Sequence, residues 1–195
     1  MSPISKYNRL FSTLAVLLSL YGAEAQTAQA LPRIVVNVMI DQLRTDYMEA
    51  FSPLFGERGF RRLIREGCVY TQAEYPFARP DRASATACLH SGTSPYDNGI
   101  PSERWLDRQS LRPVYCVDDK KFSGHHTSEN SSPQYLEVST MGDELKVATE
   151  GKGIVISVSP FRDAAILSAG HAADGCFWLN DDSGQWCSTS YYGEI

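Results

Sequence analysis

The run Ile34-Val35-Val36-Asn37-Val38-Met39-Ile40-Asp41 constrains this chain more than any other stretch. Six of the seven positions before the acid are apolar, and β-branched side chains dominate. Such a run fits a central parallel strand covered on both faces by helices. Asp41 closes it at the carboxyl end, where open α/β sheets gather their ligands. Two roles are open to that carboxylate. It offers two hard oxygens to a divalent cation, or it caps the following helix, where an acid faces the positive helix end.

The residues before this run have a different character. Lys6 and Arg9 precede an apolar segment from Leu10 to Leu20, and Ala23-Glu24-Ala25 follows. A charged start, a short apolar stretch and an A-x-A site describe a signal peptide over residues 1–25. The apolar segment is too short to span a bilayer comfortably. The expected mature chain begins near Gln26, is periplasmic or secreted, and carries no membrane span. A net charge of −5 without a basic run argues against a nucleic-acid partner. The five cysteines, Cys68, Cys88, Cys116, Cys176 and Cys187, are odd in number and widely spaced, which does not describe a disulfide scaffold. Buried free thiols are expected at Cys68 and Cys88, whereas Cys176 and Cys187 flank a hairpin and have a facing arrangement open to them.

Along the chain, the pattern predicts helices over Gln42–Phe51 and Gly59–Glu66, then a strand over Cys68–Thr71. Asp81 can cap a helix that begins at Arg82 and runs through the small residues Ala83 to His90. A loop-rich insertion is expected around residues 101–132, holding a short strand over Pro113–Val117. Its polar part, Lys120–Ser132, places His125 and His126 on a surface loop. A helix over Leu136–Thr149 leads to a second buried strand, Ile154–Val158, expected beside or near Ile34–Ile40 in parallel orientation. A short helix or irregular link over Phe161–Ala169 and a hairpin of Cys176–Leu179 with Gln185–Tyr192 complete the reading. Strands alternating with helices make the fold class α/β: a doubly wound, mostly parallel sheet with helices on both faces.

The helix that begins at Arg82 invites chemistry. A hydroxyl in its first turn sits where backbone N–H groups favour an anion, which suits a nucleophile attacking a phosphate or sulfate ester. Ser84 and Thr86 are the hydroxyls there, and both serve equally well as small packing residues.

Several segments together resemble the alkaline phosphatase superfamily in its nucleotide pyrophosphatase/phosphodiesterase-like branch, and most of all the exported PafA-type alkaline phosphatases. They are Asn37 to Tyr47, Ser91-Gly92-Thr93-Ser94-Pro95 with Asn98-Gly99-Ile100, Trp105 to Arg108, Ala164 to His171 and the hairpin aromatics. The resemblance implies a two-zinc site that hydrolyses small phosphate esters, with Asp41 as a ligand of one metal and residues 26–195 as an N-terminal portion of the domain. It also exposes departures. The family's nucleophile position falls on Arg82, its substrate-binding Asn on Glu103, and its Lys-x-Arg clamp on Phe161 and Asp163, with Arg162 between. If catalysis survives, Ser84 is the candidate nucleophile, with Arg82 and Arg162 binding the substrate anion. If the scaffold is a non-catalytic binding or structural module, Arg82 makes a charge-assisted bond to Asp41, Glu103 or Asp163.

Overall fold

A computed structural model describes residues 33–193. The expected signal peptide, residues 1–25, lies outside the described residues. The chain divides into two compact units, Met1–Leu43 and Arg44–Ile195.

In the first unit, residues 34–40 form no regular strand, and Ile34, Val35, Val36, Val38 and Ile40 are exposed. The expected central strand is therefore corrected. An apolar β-branched run reports what a segment can bury; a covered strand also needs neighbours on its edges and helices on its faces. Asp41 follows in an exposed turn, with Gln42 at φ 58°.

The second unit opens with two short helices, α1 (Thr45–Ala50) and α2 (Phe60–Glu66), neither of which has a buried residue. The expected strand at Cys68–Thr71 is absent, and Cys68 is exposed rather than buried. Order tightens at α3 (Arg82–Ser91). Asp81 caps it, Ala83, Ala85 and Ala87 are buried, and Gly92 ends it in the left-handed region at φ 70° with its N–H on the Cys88 carbonyl. Small residues at those positions let the helix approach its neighbours closely. A single turn, α4 (Pro95–Asn98), follows.

Residues 101–132 have more regular structure than their sequence suggested. Strand β1 (Arg104–Leu106) pairs antiparallel with β2 (Pro113–Tyr115). His125 falls in β3 (Gly124–His125), paired antiparallel with β6 (Trp186–Thr189), so it is not in a free surface loop. Helix α5 (Met141–Ala148) begins later than expected, because Thr140 rather than an earlier residue supplies the cap. Then come β4 (Ile156–Ser159), α6 (Arg162–Ala169) and β5 (Gly175–Leu179). The strand order is β3-β6-β5-β4. β4 and β5 run parallel across the α6 crossover, while β5–β6 and β6–β3 are antiparallel. The architecture is α/β, as the alternation of elements predicted.

Core side chains come from the buried faces of α3 and α6 and from the sheet: Ala83 and Ala87, Ala165, Ile166 and Leu167, then Cys176, Trp178 and Cys187. In the hairpin register Cys187 stands opposite Trp178, so Cys176 and Cys187 do not face each other, and both are free thiols. The first turns of α3 and α6 carry the residues that matter below.

Candidate functional site

Arg82 occupies the first position of α3 and Asp163 the second position of α6. The Arg82 Nε donates to both Asp163 carboxylate oxygens at 3.0 Å. Its Nη2 reaches Glu103 Oε2 at 3.4 Å. Its guanidinium carbon lies 4.0 Å from the centre of the Phe161 ring, within cation–π range. Asp163 has no solvent exposure. Burial alone would pull the guanidinium down, but the hydrogen bond and charge of Asp163, and then Glu103, hold it above the ordinary arginine value. A cation in the first turn of a helix opposes the macrodipole, and here two carboxylates offset that.

Two acids named from the sequence thus hold Arg82. All four positions at which the resemblance expects a nucleophile, an amide and two cations meet in one cluster: Arg82, Glu103, Phe161 and Asp163.

Ser84 lies elsewhere. It is fully buried, and its Oγ donates to Asp81 Oδ1 at 2.7 Å while accepting from the Asp81 N–H at 3.0 Å. The Ser84 N–H in turn donates to Asp81 Oδ1 at 2.8 Å, which closes a reciprocal cap. Thr86 bonds back to the Arg82 carbonyl at 2.7 Å.

Arg162 has other partners than the carboxylates that hold Arg82. It donates to Ser131 Oγ at 2.9 Å and pairs with Asp118 at 3.0 Å and Glu129 at 3.2 Å. Its guanidinium stacks on Tyr115 at 4.4 Å. The start of α6 therefore has two different sets of partners: the cap residue Phe161 and Asp163 contact Arg82 on α3, and Arg162 contacts Asp118, Glu129 and Ser131. Phe161 is the extended cap residue, at φ −115° and ψ 137°, so helical rotation separates only Arg162 from Asp163, by about 100°.

Sequence reasoning missed a second polar junction. Asp143 accepts the N–H groups of Thr140, His171 and Ala172 at 2.7–2.8 Å. Burial alone would raise this carboxyl, but those donors and the Thr140 hydroxyl bring it below the ordinary aspartate value. His171 bridges from Asp143 to the Leu136 carbonyl, at 3.3 and 2.9 Å. The T-x-x-D spacing at Thr140 and Asp143 is a capping-box signal that could have located it. Among the described residues, no group of three or more His, Cys, Asp or Glu side chains could hold a metal ion.

The family profile described as type I phosphodiesterase / nucleotide pyrophosphatase matches residues 35–189. Alkaline phosphatase PhoV of Synechococcus elongatus is 39% identical over 166 residues, 84% of this chain and 30% of that protein. Alkaline phosphatase PafA of Elizabethkingia meningoseptica is 31% identical over 181 residues, 91% of this chain and 33% of that protein. The crystal structure of wild-type PafA superposes with a TM-score of 0.80 at 31% identity, covering 84% of this chain and 32% of the other. The chain thus spans about a third of the length of the curated relatives it matches.

Proposed function

Because the chain belongs to the type I phosphodiesterase / nucleotide pyrophosphatase family, a phosphoester-hydrolase type, we propose that it carries that family's phosphate-ester site rebuilt as an ion-paired, non-hydrolytic cluster. The observation behind this reading is the mutual contact of Arg82, Glu103, Phe161 and Asp163. Binding and transferring a phosphoryl group takes cations and hydrogen-bond donors aimed at its oxygens, and a nucleophile beside them. Here Arg82 is engaged by two carboxylates, and one of them, Glu103, also lies 3.9 Å from the more exposed Arg104. A phosphate dianion would have to displace those carboxylates to reach Arg82. Ser84 is a poor replacement nucleophile, because its hydroxyl would have to leave the helix cap and become exposed. Arg162 serves the fold instead of a substrate.

Residues 26–195 form, in this reading, the N-terminal portion of an alkaline phosphatase-like domain, exported to the periplasm or beyond after removal of residues 1–25. No helix among the described residues is long and apolar enough to cross a membrane. The relatives' names support a second reading, hydrolysis of a small phosphate ester, to which the family resemblance adds a pair of divalent ions, zinc. Asp41 would be one ligand, and the described residues do not by themselves make a metal centre. A bound divalent ion would supply Lewis-acid stabilisation of ester oxygens.

The test is an assay of the full-length protein with added zinc on an aryl phosphate and an aryl phosphodiester. Parent, Ser84→Ala and Arg82→Ala are compared. The proposal expects no turnover above the uncatalysed rate in any of them. Robust parental turnover would refute it, and loss of that turnover in Ser84→Ala would identify the nucleophile.

A further inference from the structure

Asp81 is joined to both sides of the Arg82–Glu103 contact. One carboxylate oxygen, Oδ1, accepts the Ser84 N–H at 2.8 Å and the Ser84 hydroxyl at 2.7 Å, both inside the first turn of α3. The other, Oδ2, accepts the backbone N–H of Glu103 at 2.7 Å, across 22 residues of chain. The Glu103 carbonyl accepts the Cys116 N–H at 2.9 Å, so its peptide is held from both directions. Residue 82 is covalently next to Asp81. Its backbone direction is set by the cap, and that of residue 103 by the second oxygen of the same carboxylate.

We infer that Asp81 is the positioning residue of this cluster: its carboxylate sets the separation of Arg82 and Glu103 by capping α3 and holding the Glu103 peptide at once. The inference rests on the reading that Arg82 and Glu103 belong to one ion-paired cluster. A helix cap needs only one acceptor, and serine or asparagine caps as well as aspartate. The second oxygen does nothing for the helix. Its partner lies on the segment leading into β1, and the contact is short and charge-assisted.

The chemistry of the side chain makes the two roles separable. Asn at position 81 keeps a carbonyl oxygen for the Ser84 N–H but turns an NH2 donor toward the Glu103 N–H. Ser keeps a cap and is too short to offer a second acceptor. The experiment is a double-mutant cycle on the full chain, using Arg82→Met and Glu103→Gln, read from urea unfolding with helix content followed by circular dichroism. It is run in the parent and in the Asp81→Asn and Asp81→Ser backgrounds. In the parent the pair should change the unfolding constant by about two- to fivefold beyond additivity, as partly exposed ion pairs do. In both backgrounds that factor should fall to about one while helix content is retained. An unchanged factor in the two backgrounds overturns the inference. A parental factor of one overturns it too, since there is then no contact to position. Hydrolysis of aryl phosphate is recorded on the same samples. Turnover there refutes the non-hydrolytic reading by itself, and leaves the coupling result to judge Asp81.

Discussion

Arg82 Nε lies 3.0 Å from each carboxylate oxygen of Asp163, a residue with no exposure to solvent, and so ties the first turn of α3 to the first turn of α6. Removing one member of a buried pair leaves the other charged and desolvated, which costs about 3–5 kcal/mol. Arg82→Met should therefore lower the unfolding free energy by about 3 kcal/mol. The double variant Arg82→Met with Asp163→Leu should recover most of that, because a buried pair replaced by apolar groups is often neutral. Urea midpoints of the two variants check this. Equal losses in both would show that the pair itself, and not the stranded carboxylate, sets the cost.

Arg162 makes a different prediction from its neighbour. Its side chain is almost covered, yet its partners Asp118 and Glu129 are more than half exposed, so the ion pairs themselves contribute little. Its larger effect is to order residues 118–131, which also meet at the Asp118–Ser131 bridge. Arg162→Met should reduce global stability by about 1 kcal/mol or less. It should speed amide exchange at Ser131, whose N–H is bonded to the Phe122 carbonyl, while leaving Leu167 in the core protected.

The helices of the site were legible and their long-range partners were not. Asp81 followed by a run of small residues locates α3, because a cap and its first turn are local events. Gly170 likewise ends α6 just where the apolar pattern stops. The pairing of Arg82 with Asp163 spans 81 residues, and no local pattern carries it; the family resemblance marks both positions as altered, and packing of α3 on α6 brings them together. Arg162 sits between two altered positions, which suggests a substrate contact. Helical rotation sends it to the inserted region instead. The run at Ile34–Ile40 had the composition of a covered strand, and composition does not state what covers it.

Gly170 is held at φ 72°, and a Cβ there would collide with Thr140 Oγ1 and meet Asp143 Oδ2 at 2.5 Å. With ψ at −151°, Ala at this position adds the strain of a backbone region almost confined to glycine, about 1–3 kcal/mol, to a displacement of the Asp143 junction. Gly184 is a control, since its φ is 67° and nothing lies within 4 Å of its Cβ position. Gly170→Ala should lower Tm distinctly more than Gly184→Ala. Equal shifts would mean that Thr140 and Asp143 move aside without cost.

His90 gives the molecule a pH dependence that can be isolated. Its ring is buried on α3, with Nδ1 2.9 Å from the Thr86 carbonyl. Burial depresses its proton affinity below the ordinary histidine value, and the Thr86 carbonyl opposes that only in part. In the unfolded chain the imidazole takes up a proton near pH 6.5; in the folded protein it does so only at lower pH. The stabilisation from keeping it neutral is thus complete above the unfolded value and lost as pH falls through the folded one, with a slope of at most about 1.4 kcal/mol per pH unit for one proton. His90→Gln removes this titration and leaves His125, His126 and His171 in place. Between pH 7 and pH 5 the parent should lose stability more steeply than His90→Gln, and the difference between the two urea-derived curves should grow as pH falls. Parallel curves would show that His90 takes its proton in the folded core as readily as in water.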